Sequence, residues 1–361
     1  MFRKDNPLLG EYVIVSPHRM KRPWQGQTEQ PQKVELPQYD EKCYLCPGNE
    51  RSGGIRNEKY TSTMVFENDF PAVLSPPGPK SPEPIHPLLR SEPIQGNCDV
   101  VIFHPRHDLT LARLSSSDIE RVIEEWKAIY VKRGNQEGIK YVQIFENKGA
   151  MMGCSNPHPH GQAWSLSQVP QVPSTELTNL KEYAQRSTEE LSEAPAGPNG
   201  KHCLLCDYAH LEAGQGERVV LLNEDWIALV PWWAVWPFEI LLLPYKRHIP
   251  SLLELTKEES ASLARILSGI AVKYDNLFRT SFAYSMGIHQ RPVPPKSNSV
   301  GEDDIAHLHF HFDPPLLRSA TVRKFLVGFE LMSEPQRDLT AEQAAQRLRD
   351  CADVHYLEEG K

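Results

Sequence analysis

The sequence predicts an α+β fold built from two copies of one unit, each a largely antiparallel sheet with flanking helices. Three observations predict it. Motifs recur in one order in the two halves of the chain. Short apolar runs bounded by Pro, Asn and Asp read as strands. Two longer segments carry apolar residues on one face at helical spacing.

In chain order, the first half carries a Cys-x-x-Cys pair, Cys43/Cys46, and the second carries Cys203/Cys206. Next, "NDFPAVL" (68–74) matches "EDWIALV" (224–230) as acidic–aromatic–x–Ala–apolar–apolar from the second residue, which places Phe70 in the core. Strands "VVIF" (100–103) and "EILLL" (239–243) follow. After them, "HDLTLARLS" (107–115) and "HIPSLLELT" (248–256) both read His, three residues, Leu, two residues, Leu, then Ser or Thr. A helix follows each. Ile119, Val122, Ile123, Trp126, Ile129 and Tyr130 share a face of the first. Leu263, Ile266, Leu267, Ile270, Tyr274 and Leu277 do so in the second, where Thr256 and Glu259 have capping-box spacing. Each half then carries a His-x-His, at His158/His160 and at His309/His311. Chance can supply one such match; a series in one order argues for duplication.

The polar segment 185–201, "QRSTEELSEAPAGPNGK", reads as a linker, dividing the chain into 1–184 and 202–361. The Pro-rich 75–94 reads as a surface loop. The segment 320–351 is predicted helical at both ends, with "TAEQ" (340–343) as an N-cap signature, and has no counterpart in the first half.

Composition narrows the function. The chain has 361 residues, 40% of them apolar, enough for a sizeable core. A net charge of −8 argues against broad binding to nucleic acid or to an anionic membrane. Small anionic ligands need only a few local arginines. The N-terminus lacks the apolar core of a signal peptide. Asn223, Glu224, Asp225, Pro231, Pro237 and Glu239 interrupt the most apolar stretch (219–245), so short buried strands fit it better than a membrane span. Seven cysteines without a secretion signal imply a reducing, cytoplasmic setting, in which Cys-x-x-Cys pairs favour metal over disulfides.

Cys43, Cys46, His107 and His158 form the first metal candidate, a tetrahedral zinc set. Internal symmetry predicts a second: Cys203, Cys206, His248 and His309. A competing site uses His309 and His311, on one face of a strand, with His289 and a carboxylate. The stretch "GCSNPHPHGQAW" (153–164) supplies the nucleophile candidate, His160, because a neutral imidazole attacks phosphorus well and passes the group onward. Gly149, Gly153 and Gly161 let backbone N–H groups approach phosphate oxygens. Gln162 and Ser155 can donate to an oxygen whose charge rises in the transition state. Arg19 and Arg22 have the fork geometry for phosphate. Asn68 and Asp69 suit ribose or base contacts, and "RKFLVGFE" (323–330) with Gln336 offers further polar groups.

With these residues in place, "NKGAMMGCSNPHPHGQAW", "SPHRMKRPWQGQ", "CYLCPGN", "FENDFPA", "KYDNLF", "PPLLRSATVRKFLVGFE" and "QRDLTAEQAAQRLR" resemble the galactose-1-phosphate uridylyltransferase family over nearly the whole chain. "SMGIHQRP" (285–292) looks most like fungal members. The resemblance implies two histidine-triad-like halves. It also implies ping-pong transfer in galactose metabolism (the Leloir pathway). UDP-glucose uridylylates His160 and releases glucose 1-phosphate, and galactose 1-phosphate then takes the group as UDP-galactose. By motif position it implies zinc at Cys43, Cys46, His107 and His158. A second metal, iron or zinc, falls at Glu176, His289, His309 and His311. Nucleotide contacts fall at Arg19, Arg22, Asn68, Asp69, Asn147, Gly153, Ser155 and Gln162. Lys324, Phe325, Val327, Phe329, Glu330 and Gln336 fall in a segment that reaches a neighbouring subunit's site, which implies a homodimer.

The second cysteine pair departs from many members. His309 is then claimed by two sites, and the direct motif match favours the Glu176 set. The same-fold alternative is an adenylyl-transferring sugar-phosphate or dinucleotide phosphorylase. The different-class alternative is a non-catalytic zinc protein that binds nucleic acid, which the acidic charge opposes.

Overall fold

The apolar runs become strands because their Val, Ile, Leu and aromatic side chains bury well on a pleated surface. The computed structural model describes residues 1–21, 36–76, 86–186, 193–295, 301–317 and 323–360. Arg22 and parts of the Pro-rich loop and of the linker lie outside the described residues. In the first half the strands are β1 (Phe2–Asn6), β2 (Glu11–Val15), β3 (Met64–Glu67), β4 (Gly96–Ile102), β5 (Tyr141–Lys148) and β6 (His160–Leu166). In the second they are β7 (Val219–Leu222), β8 (Trp226–Leu229), β9 (Ile240–Pro244), β10 (Tyr284–His289) and β11 (His309–Asp313). Short strands β12 (Leu316–Leu317), β13 (Arg323–Lys324) and β14 (Gln336–Arg337) follow.

One nine-stranded sheet runs β3-β4-β6-β5-β10-β11-β9-β8-β7, and each of its pairings is antiparallel. The first half contributes β3-β4-β6-β5 and the second repeats that order as β8-β9-β11-β10 in mirror sequence. The halves meet where β5 pairs β10, for example Phe145 with Gly287. The α+β expectation therefore holds, with the two units fused into one sheet.

Helices α1 (Ser116–Gly134) and α4 (Lys257–Phe278) pack together on this sheet. The apolar stripes that the spacing predicts are buried: Trp126 and Tyr130 in α1 and Leu263, Leu267, Ile270 and Tyr274 in α4 are each 0% exposed. Each such side chain contributes about 1.5–3 kcal/mol. Capping boxes start both helices, at Ser115 with Asp118 and at Thr256 with Glu259. The remaining helices are α2 (Gln171–Tyr183), α3 (Leu204–Gln215), α5 (Phe329–Met332) and α6 (Ala341–Arg349). No helix among the described residues is long and apolar enough to cross a membrane.

Three expectations are corrected. The strand beside β4 is Met64–Glu67, and residues 68–74 leave the sheet, so the match of "NDFPAVL" to "EDWIALV" does not mark equivalent strands. Phe70 is accordingly 79% exposed and not core. Within 320–351, the described part of the first end is β13 and the single turn α5, while α6 starts at the Thr340 capping box. Gly328, between β13 and α5, adopts a positive φ that no regular helix accommodates.

Candidate active site and metal centres

The loop into β6 is built on a tight turn. Gly153 ends a short 3-10 turn at φ 78°, a conformation that disfavours residues with a Cβ. Asn156 Oδ1 then accepts the His158 backbone N–H at 3.0 Å and lies 3.4 Å from Cys43 Sγ. His158 is 1% exposed. Its Nε2–H donates to the His104 carbonyl at 2.9 Å, which leaves Nδ1 as the lone-pair nitrogen, 3.6 Å from Cys46 Sγ. His107 Nδ1 lies 3.7 Å from the same sulfur. Ligand atoms of Cys43, Cys46, His107 and His158 all fall within 4.8 Å of one another and are buried. Zinc bonds of about 2.3 Å to sulfur and 2.0–2.1 Å to nitrogen span about 3.6 Å across a tetrahedral angle, so the donor set fits that ion.

His160 opens β6. Its Nδ1 lies 2.7 Å from the His158 carbonyl, an oxygen that can only accept, so Nδ1 carries the proton and Nε2 carries the lone pair. Burial lowers the imidazole pKa, which keeps the ring neutral near pH 7. The half-buried ring lines a small cavity of about 70 Å³ together with Asn147, Gly153, Cys154, Ser155, Gly161 and Gln162. Two partners orient its amides. Trp164 Nε1–H donates to Gln162 Oε1 at 3.0 Å, and Ser285 Oγ–H donates to Asn147 Oδ1 at 2.7 Å. Both amide NH₂ groups are thereby left as donors. Neither Trp164 nor Ser285 carries a sequence signal of its own, because their roles depend on alternate positions of β6 and on the pairing of β5 with β10.

Gly161 is required by packing. A Cβ there would sit 2.8 Å from the Phe145 carbonyl oxygen and 3.0 Å from the Phe103 ring. Gly161→Ala is expected to cost about 1–3 kcal/mol in chemical denaturation and to displace His160. An alanine variant with unchanged stability would refute this account of the position.

Near the join of the halves, Glu176 from α2 meets His289 from β10 and His309 and His311 from β11. Glu176 Oε2 lies 2.7 Å from His289 Nδ1 and 3.6 Å from His309 Nε2, and Oε1 lies 3.5 Å from His311 Nε2. Glu176 Oε1, His309 Nε2 and His311 Nε2 are buried without a hydrogen-bond partner among the described residues. Such convergent orphans fit a metal ion. Burial alone would raise the Glu176 carboxyl; His289 and His309 outweigh it and hold it well below the usual carboxylate range.

The second cysteine pair forms a third group, but not with His309. Its members are Cys203, Cys206, His248 and His307. The run "HLHFH" contains two overlapping His-x-His pairs, 307/309 and 309/311. Structural equivalence selects the first. His309 Nδ1 lies 2.6 Å from the His307 carbonyl, just as His160 Nδ1 contacts that of His158. His307 precedes β11, so its ring reaches the cysteines while His309 reaches Glu176. The competition for His309 disappears, and His309 is the counterpart of His160.

Of the remaining candidates whose side chains are described, none lines the His160 cavity. Arg19 lies 3.7 Å from Asp338, beside β14. Asp69 accepts from Arg51 at 3.1 Å, and Asn68 Oδ1 accepts the Phe70 N–H at 2.9 Å. Glu330 accepts from the Gln336 N–H at 3.2 Å and from Arg337 at 2.6 Å. Lys324 lies in β13, and Phe325, Val327 and Phe329 are 69%, 60% and 57% exposed.

Comparison with known proteins bears on this geometry. Residues 2–170 match the family model "Galactose-1-phosphate uridyl transferase, N-terminal domain", and 176–360 match its C-terminal domain. A relative from Cryptococcus neoformans, named galactose-1-phosphate uridylyltransferase, is 54% identical over 96% of this chain and 89% of its own. One of the same name from Haemophilus influenzae is 48% identical over 99% and 97%. A solved structure described as "Structure of uridylyltransferase" superposes with a TM-score of 0.71 at 28% identity, covering 97% of both chains.

Proposed function

The chain belongs to the galactose-1-phosphate uridylyltransferase family, and we propose that it moves a uridylyl group from UDP-glucose to galactose 1-phosphate through His160. One observation carries the reading most directly: His160 is held through Nδ1–H, with the Nε2 lone pair left over, in a cavity lined by amide and hydroxyl donors.

In the first step, Nε2 attacks the α-phosphorus of UDP-glucose. The bond to the bridging oxygen breaks, and glucose 1-phosphate leaves with that oxygen. In the second, a phosphate oxygen of galactose 1-phosphate attacks the same phosphorus, the P–N bond breaks, and UDP-galactose forms. The Gln162 and Asn147 amides, the Ser155 hydroxyl and the loop N–H groups stabilise the non-bridging oxygens as their charge rises. The His158 carbonyl disperses the positive charge that the imidazole ring acquires when Nε2 bonds to phosphorus.

Zinc held by Cys43, Cys46, His107 and His158 would supply a rigid mount for that carbonyl. A metal at Glu176, His289, His309 and His311, iron or zinc by its donor set, would brace the join of the halves. All seven cysteines are free, in keeping with a reducing, cytoplasmic setting.

Incubation with uracil-labelled UDP-glucose alone should leave label on His160 and release glucose 1-phosphate, while adenine-labelled ADP-glucose leaves the protein unlabelled. A folded but unlabelled protein in the first arm sinks the mechanism. Labelling by the adenine nucleotide alone favours the adenylyl-transfer alternative.

The reading extends to a homodimer with shared sites. Phe325, Val327, Phe329, Leu331 and Met332 are all more than half exposed, an apolar run that water disfavours and a second copy can cover. Sedimentation at micromolar concentration should give twice the chain mass, and a monomer there would overturn this extension.

A further inference from the structure

We propose that Cys203, Cys206, His248 and His307 hold a zinc ion of their own, so that each chain carries three metal centres rather than two. The inference stands on ligand geometry and is independent of the uridylyltransfer reading.

The fold brings the four donors together from separate elements. Cys203 is the N-cap of α3 and Cys206 lies in its first turn, so both thiols face one point. His248 follows β9 and His307 precedes β11. Cys203 and Cys206 are each 1% exposed, as is His307. Cys203 Sγ and Cys206 Sγ lie 3.4 and 3.5 Å from His307 Nδ1, and Cys206 Sγ lies 3.8 Å from His248 Nδ1. These separations bracket the tetrahedron edge of about 3.6 Å expected for zinc.

Both imidazoles are set for coordination. His248 Nε2 lies 2.8 Å from the Asp304 carbonyl and His307 Nε2 lies 3.2 Å from the Pro244 carbonyl. Carbonyls only accept, so both Nε2 atoms carry protons and both Nδ1 lone pairs face the sulfurs. His158 shows the same arrangement in the first half, with its Nε2 on the His104 carbonyl. Two thiolates neutralise the charge of one divalent ion, which lets the set be buried without an unpaired charge. No ligand is shared, because His309 turns its Nε2 to Glu176.

The test is a zinc count on the full chain. Titrating native wild-type protein with an organomercurial thiol reagent, read with a chromogenic zinc indicator, should release two zinc ions per chain from the two cysteine pairs. Release of one ion or none overturns the proposal. Element analysis of the C203S/C206S variant should show one metal ion per chain fewer than wild type, and unchanged content likewise overturns it. Should that variant fail to fold, cobalt-substituted wild type decides. Its thiolate-to-cobalt absorption should correspond to four thiolates per chain, and an intensity for two refutes the third centre. Transferase activity is measured separately, so failure of the functional reading leaves a distinct signature.

Discussion

Replacing His160 with glycine should leave a folded protein that transfers uridylyl groups at least about 10⁴-fold more slowly. Removing a nucleophile that forms a covalent intermediate deletes the reaction path itself, and losses of this order or larger are typical. A 10⁴-fold loss is about 5.5 kcal/mol of transition-state stabilisation. The structural penalty is far smaller. His160 is half-buried at the first residue of β6, and the variant forfeits one side-chain hydrogen bond, to the His158 carbonyl, worth about 1 kcal/mol. The β-strand pairing of Ile102 with residue 160 is made by the backbone and survives. Rate and stability should therefore separate: transfer is lost while the denaturation midpoint barely moves. Transfer within tenfold of wild type would place the nucleophile elsewhere.

The second large effect is expected at the first metal centre. C43S/C46S should lose one zinc ion and roughly 3–5 kcal/mol of stability in chemical denaturation. The reason is local. Cys43 and Cys46 belong to a small satellite core with Leu45, Val100 and Ile102, against which Tyr60, Met64 and Phe66 pack. So few apolar side chains supply little hydrophobic stabilisation, and a bound ion would tie this segment to His107 and His158. Without it, His158 loses its mount, and the carbonyl that sets the His160 tautomer moves with it. The uridylylation rate should fall together with zinc content. Unchanged metal content and stability would show that the cysteines are ordinary buried thiols.

The α+β class, the order of repeated motifs, the helix faces and the N-caps at Thr256 and Thr340 were legible in the sequence, whereas the Ser115 cap was not. These are properties of short range. Periodicity decides which face of α1 or α4 is buried, and a Thr three residues before a Glu caps a helix wherever it stands. The chemistry that the candidate nucleophile loop offers is equally local, since the Pro-His-Pro-His-Gly-Gln order carries the stiffness, the imidazoles and the donor in one stretch.

Tertiary structure alone decided the partners. Three histidines alternate in "HLHFH", and sequence spacing cannot say which two form the repeat; only the start of β11 at His309 sends His307 to the cysteines and His309 to Glu176. The contact of Ser285 with Asn147 has the same origin, because it arises where β10 pairs with β5, whereas that of Trp164 with Gln162 joins alternate residues of one strand. Residues 68–74 show the converse. Their match to residues 224–230 places Phe70 in the core, yet β3 already occupies the place beside β4, and Phe70 is left in solvent. Local rules choose the elements and their chemistry. The three-dimensional fold, by bringing distant strands into register, chooses which side chains meet.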